Sequence, residues 1–275
     1  MKHVEHAGPK FPADAFAGTS AYYVRYRIPY PERLLNDLIR RSGVTGKGRL
    51  LDLACGPGRV ALALAASFNE VSAIDLEPEM IEAGRHEAQR RGIRNITWAA
   101  GRAEDFESPP GSFSLITIGD AFHRLDQRVV AERALHWLEA GCCVAILGSY
   151  SIFSEKEPWQ RIAVDVVRRW TKCPSKDGAG SDRRGSAEGP DLHERVMRDA
   201  GFIDVASHTF VQPQEWTIDS ILGFLYSTSV SSKAALGESA QPFEAELAAA
   251  MLAHDPAGTY REDIQWGYTL ARKPV

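Results

Sequence analysis

From Arg49 the chain runs Arg-Leu-Leu-Asp-Leu-Ala-Cys-Gly-Pro-Gly-Arg, and further on it reads Val71-Ser-Ala-Ile-Asp75. Leu50, Leu51 and Leu53 surround Asp52 and suit a strand inside a parallel sheet, where both faces are buried and the sequence becomes a near-continuous apolar run. Gly56 and Gly58 follow at once. Without a Cβ, they let the backbone turn sharply and come close to a ligand. Asp75 lies nineteen residues after Gly56, the distance at which one helix and one further strand deliver a carboxylate to a ribose diol. This order of strand, glycine turn, helix and acid-tipped strand requires an α/β sheet with an adenosine-binding cradle at its strand tips.

Two ligands compete for that cradle. Gly56-x-Gly58-x-x-Ala61 also satisfies the dinucleotide pattern G-x-G-x-x-G/A, so a nicotinamide oxidoreductase is the first alternative. Asp52 favours the other ligand. A carboxylate four residues before Gly56 repels a pyrophosphate at the helix N-terminus and attracts an ammonium. S-adenosylmethionine has no phosphate and carries both an ammonium and a sulfonium.

Leu51-Asp-Leu-Ala-Cys-Gly-Pro-Gly58, Asp75 with Met80 shortly after it, and Gly101-Arg-Ala-Glu-Asp-Phe106 resemble the first three motifs of class I S-adenosylmethionine-dependent methyltransferases. The core resemblance covers residues 44–150. It implies a doubly wound, Rossmann-like α/β fold: a mainly parallel seven-stranded sheet with a C-terminal antiparallel hairpin and helical lid insertions. It implies S-adenosyl-L-methionine as donor and S-adenosyl-L-homocysteine as product. Carried onto this chain, Asp75 takes the ribose hydroxyls, Leu76 and Met80 flank adenine, and Arg102, Ala103 and Glu104 line its edge. Asp52, Ala54, Gly56, Gly58 and Gly119 complete the cofactor set. Many relatives have Asp or Asn at the position of Arg102, which makes Glu104 the substitute contact for the adenine amino group.

The flanks, Phe16 to Pro31 and Trp216 to Leu225, resemble small-molecule methyltransferases of the type 11-like group similar to trans-aconitate methyltransferase. In those proteins an N-terminal Tyr and Arg fold over the cofactor, which points to Tyr23 and Arg27. The alternative is that Tyr22, Tyr23 and Tyr26 only pack a helix.

Composition narrows the partners. The formal net charge of −4 argues against a polyanion-binding surface, which needs a clustered basic face. The pairs Arg40-Arg41, Arg90-Arg91, Arg168-Arg169 and Arg183-Arg184 are short and mixed with acids, as on solvated helix faces. A small-molecule acceptor is expected, with no nucleic acid and no membrane, in a monomer or homodimer. Cys55, Cys142, Cys143 and Cys173 have neither C-x-x-C spacing nor zinc-spaced histidines, so no metal or disulfide framework is predicted. The first residues lack the apolar core of a secretion signal, and no apolar run reaches eighteen residues. Cytoplasmic residence is the expectation.

One elaborated domain is predicted over 1–275, with an N-terminal cap (1–43), a cofactor-binding core (44–150), and lid insertions plus closing strands (151–275). Helices are expected over 30–42, 58–67, 78–91 and 128–138, and strands over 49–54, 70–75, 96–99, 114–118 and 143–148. Beyond them, helices are read at 159–170, 192–200, 216–225 and 243–252, and strands at 201–211 and 265–272. The stretch 174–191, rich in Gly, Ser and charge, is predicted to bury little and to be mobile.

Methyl transfer from a sulfonium is an in-line displacement, so orientation alone supplies much of the acceleration. The loop Gly119-Asp-Ala-Phe-His-Arg-Leu-Asp126 follows the fourth strand, where donor and acceptor meet. His123 is a candidate base near neutral pH, or a histidine that packs beside the cofactor or binds backbone carbonyls. Asp120 either hydrogen-bonds an acceptor amine or hydroxyl or caps the next turn. Asp120 and Asp126 alone are too few for a divalent ion. Tyr150, Phe153, Trp159, Trp170 and Tyr226 are candidates for an apolar acceptor pocket. The expected reaction is methyl transfer to oxygen or nitrogen of a small metabolite, specialised natural products included. The second alternative is a scaffold that binds the donor without using its methyl group.

Overall fold

A computed structural model describes residues 15–171 and 189–275. Seven strands form one sheet in the order β3-β2-β1-β4-β5-β7-β6. β1 (Arg49–Leu53), β2 (Glu70–Asp75), β3 (Ile96–Ala100), β4 (Phe113–Gly119) and β5 (Leu138–Tyr150) run parallel to one another. β7 (Thr259–Arg272) lies antiparallel between β5 and β6 (Ile203–Thr217). The order reverses between β1 and β4, and the loops leaving their C-terminal ends splay apart there to open a crevice.

Burial explains the central strands. Leu50, Leu51, Leu53, Leu115, Ile116 and Ile118 lie fully inside, alternating between the two faces. On one side pack α2 (Glu32–Ser42), α3 (Arg59–Leu64) and α4 (Pro78–Arg90); on the other lie α5 (Gln127–Trp137) and α7 (Gly189–Asp199), with α6 (Pro158–Trp170) between β5 and β6 in sequence. α2 buries Leu34, Leu35 and Leu38 at helical spacing and ends at Gly43 in the left-handed region, the usual C-terminal stop. Pro78 starts α4, where its missing N–H costs nothing. Pro31, expected inside the first turn of α2, is instead its N-cap.

The expected 201–211 and 265–272 strands are longer in the structure and pair as a single hairpin from Ile203–Arg272 to Thr217–Thr259. The added part of β6 alternates exposed and half-buried residues through Val211-Gln-Pro-Gln-Glu215, so it lacks the apolar run that marks a core strand. Trp216, expected on a helix, closes β6. Thr217 then caps α8 (Ile218–Tyr226) by accepting a hydrogen bond from the Ser220 N–H. Glu262 ties the hairpin tip to the rest: its carboxylate accepts bonds from Trp216 Nε1 (2.7 Å), Ser151 Oγ (2.6 Å) and Gln160 Nε2 (2.6 Å).

Short helix α9 (Lys233–Leu236) and α10 (Ala240–His254) complete the insertion between β6 and β7, and α10 packs on α6 through buried Phe243, Leu247 and Met251. At the N-terminal side α1 (Ser20–Tyr26) lies on α8, with Gly223 against the Tyr26 ring. Cys173, Arg183, Arg184, the first residues of the chain and most of 174–191 lie outside the described residues. Among the described residues no helix is long and apolar enough to cross a membrane.

Candidate active site

A cleft of about 150 Å³ opens at the tips of β1, β2 and β4, and Tyr23, Ala54, Gly56, Asp75, Leu76, Met80, Arg102, Ala103, Glu104 and Gly119 all line it. Ala54 and Gly56 take φ of 51° and 55°, a conformation that costs a non-glycine residue energy and that bends the β1 loop away from the strand. Asp75 is fixed by that loop: Oδ2 accepts the Gly56 N–H (2.7 Å) and Oδ1 accepts the Glu77 N–H (2.9 Å). Burial raises its pKa, while these two N–H donors pull it back down. Each oxygen retains acceptor capacity for a diol. Leu76 is 40% exposed, an apolar surface at the cleft that a planar base would cover. Arg102 pairs with Glu104 (3.5 Å) and Asp105 (3.7 Å), and Glu104 also accepts the Asp126 N–H (3.0 Å).

Three expected cofactor contacts stand elsewhere. Asp52 is buried behind the cleft: Oδ2 accepts the Ala61 N–H (3.0 Å) and Oδ1 the Thr117 hydroxyl (2.7 Å). Its carboxylate therefore joins β1 to α3 and β4, and burial pushes its pKa up to about 7. Gly58 faces protein: a Cβ there would overlap the Trp98 ring, which Gly84 of α4 meets from another side. Arg27 lines a neighbouring cavity. Its guanidinium lies over Tyr23 (4.8 Å) and Phe224 (4.7 Å), and its Nε donates to Ser227 Oγ (2.8 Å).

Sequence reading missed the strap that crosses the cleft. Ala15, Phe16, Glu77 and Arg124 also line it. The Phe16 N–H donates to Glu77 (3.4 Å), the Gly18 N–H to Glu79 (2.8 Å), and the Arg124 guanidinium stacks over the Phe16 ring (4.3 Å). These partners are far apart in sequence and carry no local pattern.

The neighbouring cavity, of about 180 Å³, shares Asp120 and Ala121 with the cleft. Asp120 has φ 54°, and its carboxylate is held on three sides: by Tyr30 Oη (2.8 Å), the Ser149 N–H (3.0 Å) and Arg59 (3.5 Å). It does not cap the next turn, whose N-cap is Ala121 with no side-chain cap. Tyr30 and Arg59 were not singled out from sequence, since β4 and β5 must first assemble to bring Asp120 to them.

His123 lines this cavity, and so does His193 from α7, a residue the sequence reading passed over. Burial and the nearby His123 lower the pKa of His193 to about 4. Of the aromatic residues expected here, Tyr150 and Phe153 are present. Trp159 instead packs with Trp216 and Tyr260, while Trp170 and Tyr226 bond to Glu246 and Glu244 of α10. Among the described residues, no group of three His, Cys, Asp or Glu is placed to hold a metal.

Residues 50–141 match the family described as Methyltransferase domain. Over that span the chain is similar to methyltransferases. The match, with the hairpin beside β5, sets aside the nicotinamide alternative. An uncharacterised RNA methyltransferase of Halalkalibacterium halodurans is 38% identical over 72 residues, 26% of this chain and 16% of that relative. Demethylmenaquinone methyltransferase of Geobacillus kaustophilus is 29% identical over 128 residues, 44% of this chain and 55% of that protein. The chain thus spans about a sixth of the first of these relatives and about half of the second.

Among solved structures, the YcgJ protein of Bacillus subtilis superposes with a TM-score of 0.56 at 18% identity, over 89% of this chain and 100% of its own. Phosphoethanolamine N-methyltransferase 2 of Haemonchus contortus, crystallised with S-adenosylhomocysteine, gives 0.51 at 18% identity, over 94% and 57%. These likenesses establish the methyltransferase fold.

Proposed function

We propose that this chain is a cytoplasmic methyltransferase that uses S-adenosylmethionine to methylate oxygen or nitrogen of a small molecule held in the second cavity. The observation that carries the reading is the contact between the two cavities at Asp120 and Ala121. One cavity bears the ribose acid, and the other bears imidazoles and aromatic rings.

When bound, the donor supplies an electrophilic methyl group on a sulfonium. Asp75 would accept the ribose hydroxyls, Leu76 and Met80 would enclose the base, and Arg102, Ala103 and Glu104 would border its edge. Tyr23 and Phe16 exclude water from above. Asp120, oriented by Tyr30 and Arg59, stands where an acceptor amine or hydroxyl would donate to it. His123 would receive the proton that the acceptor gives up.

The relatives' names include RNA, demethylmenaquinone and phosphoethanolamine as substrates of those proteins. A small molecule is favoured here by the net charge of −4 and by a second cavity whose lining holds one arginine and no lysine in place of a basic groove. Incubation with methyl-labelled donor and either a metabolite extract or total RNA tests this. Label is expected in the small-molecule fraction. Label confined to RNA, or a donor that stays intact with both, would overturn the reading.

A further inference from the structure

We propose that Gly148 is a specificity-determining residue of the acceptor site: its missing side chain leaves open the place beside Asp120 that a carbon of the acceptor fills, and the fold itself does not require a glycine there. This rests on the reading that a small-molecule acceptor lies in the second cavity, and it names what shapes the reacting end of that cavity.

A glycine inside a strand weakens it, since the chain gives up more freedom on folding and gains no side-chain packing. Each such glycine therefore calls for a reason. Among the glycines whose surroundings are described and whose φ is open to any residue, Gly48, Gly84, Gly119, Gly223 and Gly267 are held by contact: a Cβ on any of them would come to 3.0 Å or closer to a neighbouring atom. Gly101 and Gly148 remain. A Cβ at Gly101 would meet nothing within 4 Å, and Gly101 lines the cleft at the strand tips. A Cβ at Gly148 would meet, apart from its chain neighbours, only Asp120 Oδ1 at 3.8 Å, and Gly148 lines the second cavity. Packing and backbone conformation account for neither glycine, whereas space for a ligand accounts for both.

Gly148 of β5 stands in register with Gly267 of β7, in a row that continues to Thr209 of β6, and all three line the cavity. Residues in register share a face of the sheet, so the two glycines leave a patch of bare backbone on the cavity floor. Gly267 has a reason within the fold, because its Cβ would press on the His208 carbonyl at 3.0 Å. Gly148 has none.

The spare hydrogen-bonding capacity of Asp120 lies at the same place. Its Oδ2 is taken by Tyr30 Oη (2.8 Å) and Arg59 (3.5 Å), whereas Oδ1 accepts only the Ser149 N–H (3.0 Å) among the described residues. Each carboxylate oxygen can accept two hydrogen bonds. An acceptor amine or hydroxyl would therefore donate to Oδ1, the atom nearest the open Cβ position of Gly148, and the carbon that carries it would rest on the bare backbone of β5. A methyl group at position 148 would occupy that ground and displace the acceptor from Asp120 by overlap, while touching nothing that the fold depends on.

Full-length wild type and Gly148→Ala, each saturated with S-adenosylhomocysteine, would be incubated with a metabolite extract and ultrafiltered, with the retained compounds measured by mass spectrometry and the two proteins compared by urea unfolding. The wild type is expected to retain at least one compound that Gly148→Ala retains about tenfold less or not at all. The variant should unfold at the same urea concentration as the wild type or a higher one, and should bind S-adenosylhomocysteine within about twofold of it. A variant that retains every compound as the wild type does would overturn the inference, and so would one that unfolds earlier or fails to fold, because the glycine would then serve the fold. A wild type that binds S-adenosylhomocysteine and retains nothing would instead count against the small-molecule reading, and the unfolding comparison would still decide whether the fold requires Gly148.

Discussion

Asp52 and Asp75 each belong to a parallel strand beside the glycine turn, yet they meet different surroundings. Asp75 ends β2 at the open cleft, whereas Asp52 lies inside β1, 1% exposed, with its oxygens on Ala61 and Thr117. Because burial raises the Asp52 pKa from 3.8 to about 7, the folded state holds a proton that the unfolded chain releases. This contribution is complete below the unfolded value and is lost as pH rises towards about 7, by an amount on the order of 4 kcal/mol. Asp52→Asn can keep the Ala61 bond through its amide oxygen and donate its amide N–H to the Thr117 hydroxyl, and it does not ionise. Urea unfolding at about pH 4.5 and about pH 8 should show the variant gaining on the wild type at the higher pH. Identical pH dependence in the two proteins would contradict the assignment. Sequence marked both acids as important, but acid identity and spacing alone do not distinguish a carboxylate that faces a ligand from one that joins two elements.

At the scale of elements, Trp98 of β3 wedges between the start of α3 and the middle of α4. Both helices approach it through a glycine, Gly58 and Gly84. Gly58 also has φ +77°, so Gly58→Ala combines backbone strain with overlap and is expected to cost about 2–4 kcal/mol in urea unfolding. A loss below about 1 kcal/mol would contradict this packing.

Sequence reading found β1 to β4, α4, α5 and α6 to within a few residues, because their buried faces repeat at strand or helix period. It shortened β5 and β6. β5 begins immediately after α5 at Leu138, pairs back to Phe113 and passes Gly141 with φ +74°; no turn residue separates helix from strand. The far half of β6 is half-solvated and contains Pro213, which composition reads as a loop. The strap over the cleft depends on contacts such as Gly18 with Glu79, and only the folded chain brings those residues together.

For the whole molecule, the sheet reversal between β1 and β4 creates the cleft proposed for the donor, and the hairpin with α7 and α8 walls the cavity proposed for the acceptor beside it. Asp120 stands at their junction, oriented from α2's leading segment by Tyr30, from α3 by Arg59 and from β5 by Ser149. Most residues that line the cleft were therefore legible in the motifs between 49 and 106 before folding, while the lining of the neighbouring cavity, drawn from distant segments, was legible as such only at Asp120, His123, Tyr150 and Phe153. Asp75 is the proposed ribose ligand in that cleft. Isothermal calorimetry with S-adenosylhomocysteine tests it most directly. The wild type should bind, and Asp75→Ala should bind about 100-fold or more weakly, since two hydrogen bonds to a charged group are lost. No heat from the wild type at millimolar ligand, or equal affinity in the variant, would contradict the account.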